Sequence, residues 1–343
     1  MENKTDAQAQ MLFNRLQKRF RHLKKWAQRT GAGAFRLYDR DIPEIPLMLD
    51  FYGDCAKAHD AAISGAFYKR PYEKDEAEET QWLSAMKDCI SCAIGINPDH
   101  IFIKQRKKQR GDSQYEKIKN TRFEKIIYEN SLAFKVNLSD YLDTGLFIDR
   151  RLLRAMIRSQ TKDKKVLNLF CYTGSFSVCA AAGGALSTDS IDLSNTYLNR
   201  ARENFLLNGF SSEIISRSFS ANGSAGGRYK NILIRADVIE FLNEAFFSKM
   251  QWDIIIVDPP AFSNSKKMLN DFDLNRDLTV LLGQCVKLLA PDGKIFVSVN
   301  VKRNAPSAEE LEAALQKRVT DLSGKLIDED FKGRKMPKTF LIN

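Results

Sequence analysis

Apolar positions along this 343-residue chain change character near its middle. Over residues 8–29, Leu12, Leu16, Phe20, Leu23, Trp26 and Ala27 recur at helical spacing, with Arg and Lys on the other faces. That pattern predicts an amphipathic helix stopped at Gly31 or Gly33. Phe35–Tyr38 and Leu47–Tyr52 read as strands, and Pro43 and Pro46 between them cannot occupy a central ladder. Gly53–Glu79 shows no clear period. A helix from about Glu76 to Gly95 follows, then a strand at His100–Lys104. A hairpin of Phe123–Tyr128 and Leu132–Val136, joined by Glu129, Asn130 and Ser131, completes a small α+β domain over residues 1–137.

Residues 138–343 behave differently. After Tyr141–Arg151 and a helix ending near Gln160, short apolar runs alternate with helical segments: Val166–Phe170, a run ending at Ile191–Asp192, Ile232–Asp237, Trp252–Val257 and Lys294–Val299. Unbroken apolar strands alternating with helices predict a parallel, doubly wound α/β sheet. Ser194 caps a helix over Asn195–Asn208 that Gly209 ends, Leu278–Leu289 is a further helix, and Pro291–Gly293 a turn before the fifth strand. Ser218–Gly227 reads as a surface connection.

The turn after the first of these strands, from Asn168 to Phe176, carries the chemistry. It has one glycine, Gly174, so neither G-x-G-x-x-G nor G-x-x-x-x-G-K-[ST] is present and a phosphate cradle is not expected. In an open α/β sheet the ligand lies beyond the strand carboxyl ends. Those ends carry Asp192, placed to hold a ribose, Asp237, placed to accept from an adenine amino group, and Asp258 in Asp258–Pro259–Pro260. Three acidic tips beside a glycine turn suggest S-adenosylmethionine (SAM) in a class I methyltransferase fold.

Composition sharpens this picture. Hydrophobic residues make up 43% of the chain and no apolar run is long enough to span a membrane, and the first ten residues lack a signal-type apolar core. A cytoplasmic enzyme without a membrane partner is expected; the oligomeric state is left open. Cys89 and Cys92 form a lone CxxC on the second helix, without a second pair or suitably spaced His22, His59 or His100, so a reduced thiol pair is expected and no metal. The net charge is +10. Seven basic residues and no acid lie between Arg15 and Arg29, and Lys104–Arg110 adds five more, both in the N-terminal domain; a polyanionic partner and a merely solvated face both account for such runs. Tyr68–Tyr72 reads as a packed surface loop.

LKKWA (23–27), FRLYDRDIPE (35–44), YLDTGLFIDRR (141–151), LNLFCYTGSFSV (167–178) and DPPAFSNSKKM (258–268) together resemble the RlmK-type methyltransferases. This is the half of bifunctional RlmKL that forms N7-methylguanosine in 23S ribosomal RNA. The resemblance runs from about residue 12 to the C-terminus, departing at Gly53–Glu79 and after Asn300. It implies SAM contacts from Asn168, Phe170, Tyr172, Thr173, Gly174, Ser175 and Phe176, from Asp192 with Leu193 and Ser194, from Asp237, and from Asp143, Phe147, Asp149 and Arg150. Asp258 would serve both the cofactor side and the reaction centre.

Guanine N7 presents an unprotonated lone pair, so its methylation needs alignment and electrostatics but no general base. Asp258 is placed to accept from the guanine N1–H and amino group, Pro259 and Pro260 to stiffen the backbone, and Phe262 to stack on the base. Cytosine C5 methylation requires a cysteine nucleophile, which neither AFSNSKK nor VSVNVKR supplies. Methylation of an exocyclic amine, and a non-catalytic RNA-binding assembly factor, stay open on sequence. A small metabolic acceptor leaves the basic N-terminal domain unexplained.

Overall fold

The computed structural model describes residues 4–68, 75–106, 122–216, 230–263, 272–300 and 305–343, in two compact units, Met1–Ile148 and Asp149–Asn343. Residues 107–110 of the second basic run, Lys69–Tyr72, Ser218–Gly227 and Asn264–Met268 of the DPP motif lie outside the described residues.

In the first unit, α1 (Lys4–Thr30) buries Leu12, Leu16, Leu23, Trp26 and Ala27 and stops at Gly31, whose φ of +66° a glycine adopts without a Cβ penalty. Strands β1 (Ala34–Asp39), β2 (Leu47–Tyr52), β3 (Ala62–Tyr68) and, after α2 (Glu76–Ile94), β4 (Ile101–Arg106) form one sheet in the order β1-β2-β3-β4. The first two pairings are antiparallel and β3–β4 is parallel, with α2 as the crossover. Central strand β3 had no legible sequence period because almost every position of it is buried, leaving no polar face to alternate. Trp82 Nε1 of α2 donates to Gln8 Oε1 of α1 at 2.6 Å, and Cys89 Sγ to the Ala9 carbonyl at 3.0 Å. So Cys89 is a packed thiol, while Cys92 is exposed.

Strands β5 (Glu124–Glu129) and β6 (Leu132–Asn137) form the expected hairpin around Asn130 and Ser131, both with positive φ, the geometry of a two-residue primed turn. The first unit continues past residue 137. The Asn137 amide donates to the Thr144 carbonyl at 2.8 Å, Tyr52 Oη and Thr144 Oγ1 lie 3.0 Å apart, and Lys104 Nζ donates to the Tyr141 carbonyl. These bonds bring segment 138–148 into the first unit, whereas the sequence pattern alone put the division at 137/138.

The second unit begins with α3 (Arg151–Arg158), followed by β7 (Lys165–Leu169), α4 (Ser175–Ala182), β8 (Ser187–Asp192), α5 (Asn195–Leu207), β9 (Glu213–Ser216), β10 (Asn231–Arg235), α6 (Val238–Phe247) and β11 (Trp252–Val257). The two-residue pair β12 (Phe262–Ser263) and β13 (Phe272–Asp273) precedes α7 (Leu274–Lys287), β14 (Leu289–Val299), α8 (Ala308–Leu315), β15 (Val319–Asp321) and β16 (Lys338–Ile342). The sheet order is β15-β16-β14-β11-β7-β8-β10-β9, parallel from β14 to β9 and antiparallel on both sides of β16. From β7 the chain winds first towards β8 and later returns to β11 on the other side, so the sheet reverses direction beside β7.

Alternate residues of each central strand enter different cores. Val166, Ile254, Ile256 and Phe296 pack with Leu153, Ile157 and Phe176 of α3 and α4. Leu167, Leu169, Ile255, Val257, Ile295 and Val297 pack on the opposite face with Phe241 and Leu242 of α6 and Leu281 and Leu282 of α7. This two-sided burial explains the unbroken apolar runs. Strands β9, β15 and β16 were not expected. Pro291–Gly293 lies within β14, where the β11 pairing shifts register, rather than outside the strand.

Candidate active site

Strand register sets three carbonyl-end tips side by side. Ile191 of β8 pairs with Leu169 of β7, and Leu169 with Val257 of β11, so Asp192, Phe170 and Asp258 follow at adjacent tips. The turn after β7 alternates left-handed residues: Phe170 at φ +54°, Tyr172 at +51° and Gly174 at +71°. Each non-glycine costs about 1–2 kcal/mol there, so the turn needs external ties. The Cys171 amide donates to the Ile191 carbonyl at 2.9 Å, the Tyr172 amide to Asp192 Oδ2 at 2.9 Å, and Asn204 Nδ2 to the Thr173 carbonyl at 2.8 Å. A Cβ on Gly174 would stand 2.8 Å from that of Ala201, so the turn lies flat on α5. Ser175 and the buried Phe176 then start α4.

Asp192 binds both loops, because its Oδ1 also accepts the Ser194 amide at 2.8 Å. Desolvation pushes its carboxyl up to about 6, against the lowering effect of the amides of Ser194, Tyr172 and Leu193. Two of these amides divide between its oxygens, Tyr172 on Oδ2 and Ser194 on Oδ1. Ser194 Oγ accepts from the Tyr197 amide and caps α5, while the Tyr172 and Tyr197 rings meet edge to face at 4.6 Å. Beneath the turn, Asn168 Nδ2 donates to Ser177 Oγ at 2.8 Å and Ser190 Oγ to Ser177 Oγ at 2.7 Å, while the buried Asn168 Oδ1 has no partner among the described residues. Asp237 caps α6: its Oδ1 accepts from the amides of Ile239 at 2.9 Å and Glu240 at 3.2 Å. The cap uses one oxygen of that carboxylate.

At the β11 tip the structure adds what sequence reading missed. The Arg150 guanidinium forks onto Asp258, with Nε 3.3 Å from Oδ2 and Nη2 3.0 Å from Oδ1, and its Nη1 donates to Asp149 Oδ2 at 2.8 Å. Asp258, expected at the reaction centre and on the cofactor side, and Arg150, expected at the cofactor, form a bidentate pair. Burial disfavours the Arg150 charge, but Asp149 and Asp258 outweigh it and raise its pKa. The signal available in sequence was an arginine in IDRR and an acid in DPP, which are 108 residues apart and which only folding joins. Neighbouring Arg151 is likewise tied, through Nη1 to Asp328 Oδ2 at 2.7 Å and Asp330 Oδ1 at 3.3 Å. Pro259 is buried, Pro260 half-buried, and Phe262 on β12 is 45% exposed, so its ring is not a core residue.

Asp143 and Phe147 belong to the first unit. Asp143 lies near Lys104, whose pKa burial lowers to about 8 against the opposing charges of Asp143 and Asp140, and Phe147 is exposed. Cys171 is buried, and burial together with Asp192 raises its thiol well above the usual range. Burial also holds Cys55 up at about 11 and Cys285 at about 12. These thiols are not nucleophiles at neutral pH.

A family model for S-adenosylmethionine-dependent methyltransferases matches residues 60–232. Ribosomal RNA large subunit methyltransferase K of Neisseria meningitidis is 40% identical over 96% of this chain and 86% of its own length. Ribosomal RNA large subunit methyltransferase K/L of Shewanella loihica is 40% identical over 93% of this chain, which spans only 41% of that protein. Among solved structures, a SAM-dependent methyltransferase from Streptococcus mutans has a TM-score of 0.70 at 22% identity, covering 97% of this chain and 81% of its own. One from Agrobacterium tumefaciens has a TM-score of 0.54 at 19% identity, covering 86% of each chain; both likenesses establish the class I fold. The donor set fits SAM: an acidic strand tip suits a ribose diol, beside a one-glycine turn unsuited to phosphate. This chain therefore belongs to the ribosomal RNA large subunit methyltransferase K family of SAM-dependent enzymes.

Proposed function

We propose that the chain methylates guanine N7 in the 23S ribosomal RNA of the large subunit, the first unit holding RNA and the second SAM and the target base. The observation that carries this reading is the Arg150–Asp258 fork at the tip next to the Asp192-tied turn. When bound, SAM supplies an electrophilic methyl group on a sulfonium. Asp192 holds the ribose, and Asn168, Phe170, Tyr172, Thr173, Gly174, Ser175 and Phe176 form the wall of the site, with Leu193 and Ser194 at its edge. Asp237 keeps one oxygen for the adenine amino group, and Asp149 acts through Arg150.

Arg150 fixes the plane of the Asp258 carboxylate, whose remaining lone pairs accept the guanine N1–H and amino protons and so turn N7 towards the methyl group. Pro259 and Pro260 restrict the backbone there, and Phe262 offers its exposed ring to the base. Guanine N7 carries a lone pair that needs no deprotonation, so a site that aligns the base without a general base suits it. The raised thiols speak against cytosine C5 chemistry.

The test is transfer of labelled methyl from SAM to unmodified 23S rRNA and to precursor large subunits, followed by nucleoside mass spectrometry. N7-methylguanosine is the expected product. Another methylated nucleoside overturns the base-pocket assignment, and no incorporation into either substrate overturns the enzyme reading.

A further inference from the structure

Helix α1 carries seven arginines and lysines from Arg15 to Arg29, and the fold distinguishes their roles. Arg15 is paired with Asp41 at 2.7 Å, and Arg19 and Lys24 are half-buried. Lys18, Arg21, Lys25 and Arg29 are all exposed, and no ion pair joins any of them to another described residue. Their spacings of three, four and four residues place them within an arc of about 80° and along roughly 16 Å of helix. Neighbours in such a row stand about 5–6 Å apart, comparable with successive phosphates on a nucleic-acid strand. Leu12, Leu16 and Leu23, all fully buried, lie on the other side of the helix.

We infer that Lys18, Arg21, Lys25 and Arg29 form a docking rail for the phosphate backbone of the RNA substrate. Four like charges held in line, with no ion-pair partner among the described residues, repel one another and are relieved by a polyanion. Basic amphipathic helices also bind anionic membranes, but they do so by burying their apolar face at the lipid interface. Here that face is consumed by the unit's own core, so the surface suits a strand of phosphates and not a bilayer. The rail contacts no base, so it contributes affinity without choosing the nucleotide. This inference rests on the RNA methyltransferase reading.

The test replaces Lys18, Arg21, Lys25 and Arg29 by Gln in the full chain, Gln being a good helix former, and measures binding to a fluorescein-labelled fragment of unmodified large-subunit rRNA across a salt series. Removing four phosphate contacts is expected to weaken binding by about tenfold or more and to reduce the slope of log Kd against log salt by about 3. The RNA KM rises, kcat at saturating RNA holds, and SAM affinity and thermal midpoint stay at wild-type values. If the fourfold variant unfolds, Lys18→Gln/Arg21→Gln and Lys25→Gln/Arg29→Gln are each expected to give about half the slope change. Unchanged RNA affinity and slope in folded variants overturn the rail while leaving the enzyme reading intact. Wild-type protein that neither binds nor methylates RNA overturns both. Loss of binding to phosphatidylserine vesicles with RNA binding intact overturns the rail in favour of a membrane.

Discussion

Arg150, Asp149 and Asp258 form a chain of alternating charge in which Arg150 is only 5% exposed. Removing one member of such a group strands another, so the choice of substitution matters. Asp258→Ala is expected to lower kcat by about 10²–10³, the scale for loss of one preorganised contact, while isothermal titration shows SAM binding retained. Arg150→Lys keeps the charge but loses the fork, so kcat is expected to fall with little change in thermal midpoint, whereas Arg150→Met also destabilises the fold by about 3–5 kcal/mol. Asp192 supplies a pH dependence. Its folded pKa of about 6 lies above the ordinary aspartate value, so the folded protein holds the proton more tightly. Its contribution to stability is therefore fully present below about pH 4, declines as pH rises through 6, and is constant above. Ribose binding needs the ionised form and has the opposite slope: SAM affinity is expected to be flat above pH 7 and to weaken towards tenfold per unit below 6. Asp192→Asn should bind weakly at every pH, and a wild-type profile flat down to pH 5 would contradict the ribose assignment.

The β7–α4 turn shows how an element is made from conflicting local preferences. Phe170 and Tyr172 are poor choices for left-handed backbone, and Gly174 is a good one. The turn persists because Asp192 and the Ile191 carbonyl hold it from β8 and Asn204 from α5. Gly174→Ala adds both a positive-φ penalty and a Cβ 2.8 Å from Ala201. A loss of about 1–3 kcal/mol is expected in chemical denaturation, with SAM affinity reduced more than tenfold because the turn must lift from α5. The glycine itself was readable in sequence. Its left-handed neighbours were not, since Phe and Tyr carry no local sign of that conformation.

At the scale of the whole molecule, strand β16 lies between β14 and β15 and pairs antiparallel with both. Deleting Lys338–Asn343 is expected to open two strand edges, seen as lost soluble yield and increased light scattering, because unpaired edges template association. That strand was invisible to periodicity: Thr339, Phe340 and Ile342 are buried, but the run is short and its partner β15 lies beyond a stretch of irregular turns. Edge strand β9 was missed for a similar reason, having four half-exposed or exposed residues. Sequence by itself determined the amphipathic α1, the hairpin, the alternation that makes a doubly wound parallel sheet, and the acidic residues at its strand ends. These are local properties, fixed by period, by turn residues and by the need to bury continuous apolar runs. Tertiary structure decided that segment 138–148 packs with the first unit, that Arg150 grips Asp258, that Asp192 ties the turn, and which of the α1 cations are left without described partners. Each of those depends on groups far apart in the chain that only folding brings together or keeps apart.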